Sequence, residues 1–268
     1  MIDALVIVLR EALEASLLIS FLFILSDYYN LNKRWVFFSL AVGVVFAISI
    51  ASKFSDISEL FDGAGQEILF VFVLFLLSIL IMTVNLNVML KYLKVSSDLV
   101  KTSSALKLKI LFSVIIVLAV SLEGAEIIIF FESQLSGQGN VFSILLGGVL
   151  GLGIGVSVAA VSYYLLSQFK PEGLIICITI LSMISAGMAS QAITYLMQAD
   201  LIDNAYPIWS TSAFINERSL LGQLMYALVG YEATPTLLQV CTYTSYLMLP
   251  LLVTLYFKKN MATLRKDE

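Results

Sequence analysis

Seven apolar runs of about 20 residues each, joined by short polar connections, leave this chain few ways to fold. They cover 3–26, 35–53, 67–90, 109–131, 141–167, 173–197 and 237–257. A run of that length matches the hydrocarbon thickness of a bilayer when it is wound into a helix. Of the 268 residues, 60% are hydrophobic and 13% charged. Soluble domains hold roughly 45–50% and 25%, and one soluble core cannot hide such an excess. The expected fold is all-α, a polytopic membrane protein with seven transmembrane helices. The first run lacks a basic leading region and an A-x-A-like cleavage site and contains three charges, which argues against a cleaved signal peptide.

Seven spans create alternating loops, and the cations sort between them. Lys33, Arg34, Lys91, Lys94, Lys101, Lys107, Lys109, Lys170, Lys258, Lys259, Arg265 and Lys266 fall on one side; only Lys53 and Arg218 fall on the other. The excess of cations marks the cytoplasmic side, so the N-terminus is expected outside and the C-terminus inside. The whole chain, 1–268, reads as a single membrane domain. Within it, 1–108 and 109–197 form two three-helix repeats, 198–236 an outer loop, and 237–268 a seventh helix with a cytoplasmic tail. In the loop, "SLLGQLMYALVGY" reads as a short interfacial or re-entrant helix. In the fifth run Gly147, Gly151 and Gly155 recur every fourth residue, a stripe that lets a neighbouring helix approach closely. "SAGMAS" in the sixth run reads the same way.

Several chemistries are excluded. There is no histidine, which removes the commonest general base and transition-metal ligand. A net charge of −4 with no basic run interleaved with aromatics gives no nucleic-acid surface. Cys177 and Cys241 lie singly in apolar segments and read as small core residues. No GxxxxGK[ST] occurs, so the chain does not itself use ATP.

What remains is carboxylate chemistry inside the helices. Glu11 and Glu14 lie in the first span, and Glu123 and Glu126 in the fourth. A spacing of three puts both acids of a pair on roughly one helix face. Spans one and four run in opposite directions, so spans one to three and four to six are candidate inverted repeats, an architecture that sets substrate sites at the repeat interface. With a 1.5 Å rise per residue, Glu11 and Glu123 lie roughly 12 Å below the outer helix ends, which brings four carboxylates to similar depth. An ionised acid there costs about 2.5–3.5 kcal/mol on insertion scales, so four unpartnered ones cost roughly 10 kcal/mol or more. Arg10 supplies one positive charge, and a multivalent cation would supply the rest. Oxygen-only ligands suit hard cations such as magnesium, calcium, manganese or ferric iron. A buried structural ion-pair network and a metal-free proton relay are the other readings of the same acids. Outside the spans, Asp56, Glu59, Asp62 and Glu67 form an acidic outer segment, either a plain solvated exterior or a device that gathers cations. Asp200, Asp203 and Glu217 extend it.

"REALE" at 10–14 and "LEGAE" at 122–126 resemble the paired R-E-G-L-E motifs of the oxidase-dependent iron transporter family, the high-affinity iron permeases of fungi and bacteria. The stretches "SAGMASQAITYLMQADLI", "PIWSTS" and "SLLGQLMYALVGYEATPTLLQV" also resemble that family's final third. The resemblance implies import of iron across the cytoplasmic membrane. It makes Glu11, Glu14, Glu123 and Glu126 iron ligands and Arg10 the first motif arginine. It also implies an extracytoplasmic iron-oxidising or iron-binding partner. Iron is then a transported substrate, with no permanent cofactor and no enzymatic turnover. Two positions depart from the pattern: Leu122 stands where the second motif has arginine, and Ala12 where the first has glycine. Ser210 follows Trp209 where an acidic residue is usual. A carrier of another cation, such as manganese or lead, a carboxylate-metal membrane enzyme and a structural subunit are the alternatives.

Overall fold

The computed structural model describes residues 1–92, 105–136, 140–169, 172–203, 206–217 and 219–264. Among them the chain is helical, apart from turns and one isolated bridge between Pro207 and Thr236. A long helix stands at each of the seven apolar runs: α1 (Ile2–Tyr28), α2 (Arg34–Ser52), α4 (Gly65–Tyr92), α5 (Ala105–Leu135), α6 (Val141–Gln168), α7 (Glu172–Gln198) and α9 (Leu237–Leu264). The one-turn α3 (Phe54–Ser58) follows α2, and α8 (Leu220–Val229) occupies the segment read as an interfacial helix. Among the described residues five helices, α2 and α4 to α7, are long and apolar enough to cross a membrane. The first helix is as long but carries Arg10, Glu11 and Glu14. Phe37 and Phe38 on α2 are 75% and 74% exposed, a surface that water would drive to aggregate and lipid accommodates. Several cations used to orient the chain, Lys94, Lys101, Lys170, Arg218, Arg265 and Lys266, lie outside the described residues.

The helices pack in pairs. α1 lies along α6, α2 along α5, and α4 along α7, with α1 and α5 also in contact. Exchanging α1, α2 and α4 for α5, α6 and α7 leaves this set of pairings unchanged. The contacts repeat at residue level as well. The buried face of α6 carries Gly147, Gly151, Gly155 and Ala159, and that of α2 carries Ser39, Gly43, Ala47 and Ala51. A methyl group added at Gly151 meets Val8 of α1 at 3.3 Å, and one at Gly43 meets Val120 of α5 at 2.8 Å. One turn on, Gly155 faces Ala12 and Gly124 faces Ala47, each at 2.9 Å for an added methyl. Each crossing therefore pairs one glycine with one alanine. That is why Ala12 can stand where glycine is usual: the space is supplied from across the interface by Gly155. With so little side chain between them, Ser16 and Ser20 of α1 donate hydrogen bonds to the carbonyls of Gly155 and Ala159 on α6, at 3.1 and 2.7 Å.

The glycine of "SAGMAS" does something different. Gly187 abuts Gly230, the left-handed residue that ends α8 at φ 63°, rather than the flank of a long helix. The C-terminal end of α1 is tied by Lys33, whose Nζ donates to Asp27 and to the Tyr163 hydroxyl of α6, both at 2.9 Å. Cys177 is buried, with Sγ 3.7 Å from the Phe21 carbonyl, whereas Cys241 is exposed on α9, so only the first is a core residue.

The glycine–alanine exchange gives a test. Gly124→Ala overpacks the α2–α5 crossing and lowers stability by about 1–3 kcal/mol, while Gly124→Ala with Ala47→Gly restores most of it. Thermal unfolding of the detergent-solubilised variants reads both, and a double variant no better than the single one contradicts the packing account.

Candidate functional site

The two crossings that seat Ala12 and Gly124 place the neighbouring acids inside the helix bundle. Glu11, Glu14 and Glu123 are buried, and each offers one carboxylate oxygen within 4.8 Å of the other two. Oxygens bound to one hard cation at 2.0–2.6 Å lie roughly 3–5 Å apart, so the three oxygens are close enough to share one ion. Glu11 Oε2 and Glu123 Oε1 have no hydrogen-bond partner among the described residues. Arg10 Nε lies 3.3 Å from Glu14 Oε1 and 3.8 Å from Glu11 Oε1.

The fourth acid is held apart. Glu126 is half-buried and outside the group of three; its Oε1 accepts a hydrogen bond from the Tyr195 hydroxyl at 2.9 Å. The helical spacing that aligned four acids says nothing of Tyr195, which reaches in from α7. Leu122, at the position of the second motif arginine, is buried beside an apolar cavity of about 310 Å³ with Phe46, Leu69 and Phe70. A guanidinium there would meet an apolar wall, and leucine suits it.

Three aromatic and amide residues absent from the sequence-based site complete it. Tyr226 of α8 accepts a hydrogen bond from Arg10 Nη2 at 2.9 Å, and its ring lies 4.3 Å below the guanidinium carbon. Tyr226 and Gln191 line two cavities. One, about 20 Å³, touches Glu14 and has room for a water molecule. The other, about 240 Å³, is polar and bordered by Arg10, Thr194, Tyr195, Glu217 and Glu232. The segment 206–217 is bonded to the residues before α9 through Ile208 N to the Pro235 carbonyl (2.9 Å) and Thr211 N to that of Ala233 (2.8 Å). Gln239 donates to Glu232 at 2.7 Å and to Thr194 at 2.8 Å, fixing the cavity rim. Asp56, Glu59 and Asp62 are exposed, and Glu67 half-buried in the first turn of α4; none of them lines either cavity.

Buried carboxylates from α1 and α5 thus lie beside one arginine and a polar cavity. The chain matches the model of the iron permease FTR1 family over residues 1–266. It belongs to that family. No curated protein and no solved structure matches it. The family is one of transporters, so this iron permease is a multi-pass membrane protein whose substrate is iron. The resemblance read from "REALE" and "LEGAE" therefore holds over nearly the whole chain.

The rim of the permease's larger cavity has its own pH dependence. Burial pushes the Glu232 carboxyl above the usual carboxylate range, against the opposing hydrogen bond from Gln239. A raised value in the folded protein means that the ionised form is the destabilising one. The contribution is favourable below the unfolded carboxylate range and is lost as pH rises through the folded value. Glu232→Gln, which keeps a side chain of the same shape, is expected to lose less thermal stability than wild type between acidic and neutral pH in detergent. Parallel pH profiles of the melting temperature would contradict this account.

Proposed function

We propose that this permease carries iron inward across the cytoplasmic membrane through a site made by Glu11, Glu14 and Glu123, with Glu126 one step along the same path. The observation that carries the reading is the buried triad of carboxylates drawn from α1 and α5, with two oxygens left without partners. Hard oxygen ligands with no histidine or thiolate suit ferric iron, so the iron is delivered after oxidation by an extracytoplasmic partner. No permanent cofactor is needed for such passage. All seven long helices span, with the N-terminus outside. The first three and the next three form an inverted repeat, supported by the pairing that survives their exchange and by the matched crossings at Ala12–Gly155 and Gly124–Ala47. In this orientation the 240 Å³ cavity faces outward, and α8 is the re-entrant element that floors it. Asp56, Glu59, Asp62 and Glu67 then belong to the outer rim, where they add to the negative field that draws cations in.

One observation favours a second substrate. Leucine at position 122 leaves a single arginine beside the acids, and the triad has no donor that discriminates iron from another hard divalent ion such as manganese.

Replacing Glu14 or Glu126 by alanine is expected to reduce ⁵⁵Fe uptake to background while membrane insertion is unchanged; normal uptake in either variant removes the central claim. Competition of wild-type uptake by manganese and lead reads selectivity. Strong competition by manganese at equal concentration assigns the wider range.

A further inference from the structure

We propose that Tyr226 is a positioning residue for transport: it is the perch that holds Arg10 when a cation takes the glutamate oxygens. The inference rests on the reading of Glu11, Glu14 and Glu123 as ligands and adds a residue from outside both motifs. One guanidinium bridges two kinds of partner. Its Nε faces Glu14 and Glu11, while Nη2 donates to the Tyr226 hydroxyl and the ring lies beneath it. A cation bound by the triad competes with Arg10 for the same oxygens and repels it. The guanidinium then needs another place, and an unpartnered one at this depth is expensive. Tyr226 offers an oxygen acceptor and a π face together, and the 240 Å³ cavity that Arg10 itself lines gives the side chain room to withdraw.

The perch is fixed independently of the acids. The α8 helix is capped at its start by the Ser219 hydroxyl, which accepts from Gly222 N at 3.0 Å, and it ends at left-handed Gly230 against Gly187. The Tyr243 hydroxyl donates to the Val229 carbonyl at 2.6 Å. Tyr226 also borders both cavities, with Arg10 on the larger one and Glu14 on the smaller. Release of Arg10 from Glu14 and Glu11, with its contacts to Tyr226 kept, therefore frees the ligand oxygens. Because Arg10 has the glutamates as well as Tyr226 before the cation binds, and Tyr226 alone afterwards, loss of the perch penalises the bound state more than the free one.

The test is a double-mutant cycle on ⁵⁵Fe uptake and on ⁵⁵Fe binding to the purified chain, with Glu14→Ala as a control. Tyr226→Phe, which keeps the ring, is expected to raise KM about tenfold, the loss of one hydrogen bond to a charged group, with Vmax little changed. Tyr226→Leu is expected to raise it further. In an Arg10→Gln chain Tyr226→Phe is expected to have no further effect, because nothing remains to be held; where that chain takes up no iron, binding gives the cycle. A Tyr226→Phe effect that is absent, or equal in both backgrounds, overturns the proposal and leaves a packing role for α8. If Glu14→Ala abolishes binding while Tyr226→Phe is silent, only the perch is lost. If Glu14→Ala binds iron as wild type does, the glutamate reading falls and the perch with it.

Discussion

An ionised carboxylate in the hydrocarbon region costs about 2.5–3.5 kcal/mol before it finds a partner, and this permease places four acids among its packed helices. The arrangement of the rest follows from how that cost is offset. Arg10 lies against two of the acids, Tyr195 donates to the fourth, and Glu123 brings one oxygen within 4.8 Å of Glu11 and Glu14. The balance is left incomplete: among the described residues two buried oxygens lack hydrogen-bond partners, and Arg10 pairs with Glu11 and Glu14 but not with Glu123. A site fully neutralised by the protein would have no use for a cation. One that is under-neutralised, within reach of a polar cavity, attracts a proton or a metal ion to complete it.

Such a site can be built only where two helices come close enough for acids from both to converge. The third residue of each motif controls this. Ala12 and Gly124 sit between their glutamates and face the small-residue stripes of α6 and α2, so each acid-bearing helix is held by a partner from the other half of the chain. Without a hydrophobic force between helices in lipid, close backbone approach is what binds them, and small residues permit it. The same glycines and alanines that lock α1 to α6 and α5 to α2 thereby fix the depth and facing of Glu11, Glu14 and Glu123.

Most of the helices were legible because length and hydropathy are local properties; each of the seven runs became a helix, extended by a few residues into its polar flanks. The paired acids were legible too, since a spacing of three is a helix face. The stripe on α6 was read as a contact surface, but its counterpart on α2, written with serine, glycine and two alanines, gives no comparable glycine signal. Tyr195, Gln191 and Tyr226 were not legible. Their partners lie far off in sequence, and a tyrosine on an apolar helix looks the same whether it packs or holds a charge. Glu232 reads as an acid near a span end that needs no role, and only the folding of 206–217 onto the residues before α9 puts it on the cavity rim.

The two sides of the acid cluster differ in this structure. On the N-terminal side of α1, Arg10 borders a polar cavity that reaches Glu232. Toward its C-terminal end, Leu17, Leu18, Phe21, Leu22 and Leu25 are fully buried, and the Asp27–Lys33–Tyr163 hydrogen bonds close the helix end onto α6. Close-packed cores rearrange between discrete states rather than yielding gradually. On the proposed path, a cation held at the triad therefore faces a close-packed leucine layer on the side away from the cavity. The glycine and alanine crossings hold α1 against α6 and α5 against α2, so any rearrangement of that layer that keeps these crossings moves each helix pair together with its own acids.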